Sequence, residues 1–101
     1  MVAPRFDIPS LQLAQLCRRC HIRKLSLFGS ALRDDFSPDS DVDLLVEFQS
    51  GKTPDFFTLD EIANELSTLF GGHRIDLVTQ ASINPLIREQ VLGSARVQYE
   101  G

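Results

Sequence analysis

Apolar and polar residues along the chain change period several times, and each change marks an element. After Ser10, the residues Leu11, Leu13, Ala14, Leu16 and Cys17 recur at helical spacing, so a first helix is expected to about Cys20, with Ser10 as its cap. Lys24-Leu25-Ser26-Leu27-Phe28 then alternates and stops at Gly29, the signature of a strand entering a turn. Gly29 and Ser30 open a short helical stretch to about Arg33, and the polar segment from Asp34 to Ser40, which contains Pro38, reads as a loop.

Asp41-Val42-Asp43-Leu44-Leu45-Val46-Glu47-Phe48 carries the clearest strand pattern. Successive strand side chains point to opposite faces, so Val42, Leu44, Val46 and Phe48 share one face, expected to meet helices. Asp41, Asp43, Leu45 and Glu47 share the other. Thr58 and Glu61 have the spacing of a capping box, and Leu59, Ile62, Ala63, Leu66, Leu69 and Phe70 form one apolar helical stripe that Gly71 and Gly72 end. Arg74 to Val78 is a third strand, with Asp76 facing away from Ile75 and Leu77. Asn84 and Pro85 suit the start of a last helix from Leu86 to about Leu92, and Arg96 to Tyr99 suits an edge strand. The order implies one α/β domain over residues 1–101, with a small mixed sheet of three to four strands packed by helices.

Composition narrows the function. At 101 residues, 43% hydrophobic and 24% charged, the chain suits one core and has little length for a second, so a large acceptor would bring its own structure. A net charge of -4 and a pI near 5.0 disfavour direct binding to nucleic acid, which needs clustered Lys and Arg. No apolar run approaches the ~20 residues that cross a bilayer, and Met1 to Asp7 lacks the apolar core of a signal peptide, so a cytoplasmic protein is expected. Cys17-Arg18-Arg19-Cys20-His21 has the spacing of a haem-attachment site and of half a zinc site. No second CxxC occurs, and the segment closes a helical pattern, so Cys17 is expected in the core and Cys20 near the helix end. Phe6, Phe36, Phe56 and Phe57 are expected to pack in the core of so small a domain, with anchoring of a partner as the alternative.

The chemical signal is a constellation. Gly29-Ser30 follows one strand, ten residues intervene, and Asp41-Val42-Asp43 opens the next. A glycine lets the backbone approach a ligand, and the amides of Ser30 and its successors, at a helix start, suit the phosphates of a nucleoside triphosphate. Two carboxylates on one strand face suit magnesium, which takes oxygen donors in octahedral geometry together with substrate phosphates. Asp76 on the neighbouring strand would complete a two-ion site, and Arg33 reads either as a phosphate donor or as a solvated or loop-pairing arginine. Converging carboxylates repel one another by on the order of 1 kcal/mol per close pair even in water, a cost that bound cations relieve.

The run Leu27-Phe28-Gly29-Ser30 through Asp39-Ser40-Asp41-Val42-Asp43-Leu44-Leu45-Val46 resembles the minimal nucleotidyltransferase family, the MNT antitoxins of HEPN/MNT toxin–antitoxin pairs, within the DNA polymerase β-like superfamily. Arg74-Ile75-Asp76-Leu77-Val78 and the closing Ile87 to Val91 and Tyr99-Glu100 extend the likeness over essentially the whole chain. The resemblance implies a polymerase β palm-like fold. It implies that Gly29, Ser30 and Ser40 belong to the nucleotide site, that Asp41 and Asp43 hold two magnesium ions, and that Asp76 binds one of them and assists deprotonation of the acceptor. It also implies ATP as substrate and a tyrosine of a HEPN-domain ribonuclease toxin as acceptor, which AMP transfer silences. Many relatives carry Arg after the Gly-Ser and Gly after the second arginine, where this chain has Ala31 and Asp34. The alternative is therefore an antitoxin that neutralises its toxin by binding alone. Self-association is compatible with either reading.

Overall fold

The computed structural model describes residues 8–32, 37 and 39–101. Its elements are α1 (Ser10–Arg19), β1 (Ile22–Phe28), a 3-10 turn (Gly29–Leu32), β2 (Val42–Phe48), α2 (Phe56–Leu69), β3 (Ile75–Val78), a second 3-10 turn (Gln80–Ser82), α3 (Arg88–Ser94) and β4 (Arg96–Glu100). The four strands form one sheet in the order β3-β2-β1-β4. β1 pairs antiparallel with β2 and β4, whereas β2 and β3 are parallel. That parallel step needs a crossover, which α2 supplies. The expected edge strand is thus present as β4.

One face of the sheet carries the core. Leu25 lies opposite Val46, Leu27 opposite Leu44, and Val42 beside Ile75, and all six are buried. Leu13, Leu16 and Cys17 of α1 close over them with Ile62, Leu66 and Phe70 of α2 and its end. Cys17 is fully buried, and loss of hydration pushes its thiol up to about 12, so it stays protonated at neutral pH. Half-buried Cys20 follows the helix, and His21 turns the chain out of it in the left-handed region at φ 60. Among the described residues, no helix is long and apolar enough to cross a membrane.

The opposite face differs from the sequence reading. Leu45, grouped with the aspartates, is buried there with its neighbour Ser26, and Ile83 is buried too. The two 3-10 turns lie against β2, so only part of this face is open.

Helix starts also differ from expectation. Pro9, not Ser10, is the cap of α1, and it makes no side-chain cap bond. α2 begins before the Thr58–Glu61 box because Asp55 caps it, its carboxylate accepting from the Thr58 amide at 2.9 Å. This early start places Phe56 and Phe57 roughly 120° to 140° round the helix from Ile62, at ~100° per residue. They are therefore 88% and 84% exposed rather than in the core, while Phe6 and Phe36 lie outside the described residues. At its other end the Gly72 amide donates to the Ser67 carbonyl at 2.8 Å, the six-to-one bond of a Schellman ending, with Gly71 and Gly72 both at positive φ. α3 starts at Arg88, because Asn84 first forms a turn in which its side chain accepts from the Leu86 amide.

The Asp55 cap gives a signed pH dependence. Hydrogen bonding from Thr58 lowers the Asp55 pKa below its ordinary value. A depressed carboxylate adds stability that is present above its unfolded pKa and is lost as pH falls through its folded one. Asp55→Asn keeps an acceptor at the cap but removes the titration. Melting curves should show the wild type losing its advantage over the variant on acidification through and below the carboxylate range, and a constant difference there would refute the assignment.

Candidate functional site

β1 delivers Phe28 opposite Asp43 of β2, and the parallel register sets Asp43 beside Asp76 of β3. The end of the sheet is thereby organised as a row across three strands: Phe28, Asp43, Asp76. Gly29 follows Phe28 directly. At φ 68 it occupies the left-handed region, and its α-carbon lies so close to Asp43 that an added Cβ would stand 3.1 Å from the Asp43 Cγ and 3.3 Å from its Cβ, overlapping Oδ2. Only a glycine satisfies both conditions. Asp41 immediately precedes β2 and is exposed, Asp43 is half-buried, and Asp76 is exposed.

Most of the expected site residues are thus brought to one end of the sheet. The backbone of Ser30 lies in the 3-10 turn that begins at Gly29, a tighter and shorter element than an α-helix. Arg33 and Asp34 lie outside the described residues. Ser40 takes a local role: its hydroxyl accepts from the Ser37 amide at 3.0 Å and lies 3.1 Å from the Ser37 hydroxyl, shaping the turn before Asp41. Among the described residues, no three His, Cys, Asp or Glu side chains are gathered into a ready-made metal cluster. Asp43 and Asp76 are thus neighbours on adjacent strands, with Asp41 two residues before Asp43, rather than three carboxylates gathered in a cage.

The donor set nevertheless fits magnesium. It is all oxygen, it comes from adjacent strands, and the missing Cβ of Gly29 leaves room for the Asp43 carboxylate.

Two residues of this region were not singled out by sequence reasoning. His73 donates from Nδ1 to the Ser40 carbonyl at 2.9 Å, and Ser67 of α2 donates to the His73 carbonyl at 2.6 Å. A lone histidine between a helix and a strand has no spacing that would announce this role.

The chain belongs to the nucleotidyltransferase domain family, whose model matches residues 11–97, and it is a nucleotidyltransferase. It is 36% identical over 78 residues to the protein adenylyltransferase MntA of Thermococcus cleftensis, covering 77% of this chain and 76% of that relative. A solved structure described provisionally as a minimal nucleotidyltransferase is 35% identical, with a TM-score of 0.67 and 85% of each chain covered. A toxin–antitoxin structure with AMP-PNP shares the fold at 22% identity, with a TM-score of 0.69, over 93% of this chain and 75% of that one.

Proposed function

We propose that this chain is a magnesium-dependent protein adenylyltransferase, the antitoxin of a HEPN/MNT pair, which moves AMP from ATP to a tyrosine of its HEPN ribonuclease toxin. The observation that carries the reading is the Gly29 turn packed on Asp43, whose register neighbour on the adjacent strand is Asp76. The name of the Thermococcus relative supports protein as acceptor.

Asp41, Asp43 and Asp76 are the residues that would hold magnesium, and the Gly29 and Ser30 backbone would cradle the triphosphate, with Arg33 as a further phosphate donor. Bound there, magnesium supplies charge neutralisation for the phosphates and acidifies the acceptor hydroxyl. The acceptor oxygen forms a bond to the α-phosphorus as the bond from that phosphorus to the α,β-bridging oxygen breaks. Pyrophosphate leaves with that electron pair, and Asp76, exposed at the end of the row, takes the hydroxyl proton and passes it to water. The cytoplasm, with its ATP and reduced thiols, is the matching compartment.

The test is the intact mass of a HEPN partner co-expressed with this chain. A gain of one or more AMP units, lost when Asp43 is replaced, is the expected result. An unmodified toxin that is nonetheless bound and silenced would overturn transfer in favour of neutralisation by binding alone.

A further inference from the structure

The parallel pairing of β2 with β3 begins at the Val42 amide, which donates to the Arg74 carbonyl at 2.8 Å. In a parallel ladder the next acceptor outward on that side is the carbonyl two residues earlier, that of Ser40. A side chain takes it: His73 Nδ1 lies 2.9 Å from the Ser40 carbonyl oxygen, in a partly buried contact across 33 positions of sequence. A carbonyl only accepts, so Nδ1 carries the proton. His73 is itself held, because its carbonyl accepts from Ser67 Oγ at 2.6 Å and Gly72 before it is bonded to the end of α2. On the far side of Ser40, the Ser40 amide donates to the Ser37 carbonyl at 3.0 Å and the two serine hydroxyls meet.

From this chain of contacts we infer that His73 is a positioning residue for the reaction: its imidazole extends the β2–β3 ladder by one rung and fixes Ser40, and so sets where Asp41 and Asp43 present their carboxylates. His73 touches neither nucleotide nor acceptor in this scheme. It transmits the position of the α2 end, through Ser67 and its own ring, to the entry of β2. The effect on catalysis rests on the transferase reading above, whereas the effect on the loop does not.

The test separates the two. In His73→Ala, hydrogen exchange at the Ser40 and Val42 amides of the nucleotide-free protein should quicken by roughly five- to tenfold, the scale of one lost hydrogen bond. His73→Asn places an amide N–H where Nδ1 was and should restore slow exchange, whereas His73→Gln extends past that point and should not. In the transfer assay, His73→Ala should need several-fold more magnesium for half-maximal rate and recover most of its rate at saturating magnesium, with Asn again rescuing. A merely structural role would lower the melting temperature without moving the magnesium requirement. Unchanged exchange at both amides in the alanine variant, or rescue by Gln as good as by Asn, overturns the inference. A wild type that transfers no AMP, with the exchange pattern intact, overturns the transferase reading and leaves the loop anchor standing.

Discussion

Asp43→Asn is expected to lower the rate of adenylyl transfer by on the order of 10³-fold or more, the scale seen when a preorganised electrostatic group is removed from a transition state. The same substitution should leave the fold in place. Asparagine has the shape of aspartate and fits the space that Gly29 leaves, so the contact across the turn survives. What disappears is a negative charge beside Asp76. A rate measured at saturating ATP and magnesium, set beside a thermal melt of the same preparation, checks both halves. Transfer within tenfold of wild type would remove Asp43 from the chemistry. Lost activity with a melt lowered by many degrees would show that its role was mainly structural.

How much of this was legible in the residues depends on the range of the contact concerned. Strand alternation alone put Asp43 and Asp76 away from the core, because Val42, Leu44 and Ile75 are strongly apolar neighbours that force the opposite face on the acids. That β3 lies next to β2 followed from a single helix joining them. Local signals misled at the start of α2, where the capping-box spacing pointed to Thr58 and Glu61 while the helix is capped three residues earlier by Asp55. The result turned Phe56 and Phe57 outward, which no count of apolar residues could foresee.

Contacts made only by the fold were not legible. Leu45 alternates with the acids and looks exposed, yet the second 3-10 turn returns against β2, and Leu45, Ser26 and Ile83 are buried. The meeting of His73 with the Ser40 carbonyl likewise depends on where α2 ends, a tertiary fact with no periodicity behind it. The pairing of Gly29 with Asp43 stands between these extremes. The motif joins the two residues in the sequence, but that one leaves its Cβ position to the other's carboxylate is visible only in three dimensions.

Gly29→Ala should damage both the fold and the activity, and for two separable reasons. The first is backbone: φ 68 is a region where an L-residue with a Cβ pays ~1–2 kcal/mol that glycine does not. The second is contact, since the new methyl group would overlap Asp43 Oδ2 and stand 3.1 Å from Cγ. Either the carboxylate turns away or the 3-10 turn shifts, and both displace the groups that face the phosphates. Transfer should therefore fall by roughly 10² or more, a loss typical of an ångström-scale misplacement, and denaturant unfolding should show a total loss of about 2–3 kcal/mol. The two causes are told apart by removing the obstacle. In an Asp43→Ala background the alanine at position 29 meets no carboxylate, so its cost should shrink to the backbone part, a non-additivity of about 1 kcal/mol in the double-mutant cycle. Strict additivity of the two substitutions would mean that Gly29 and Asp43 do not press on one another in solution.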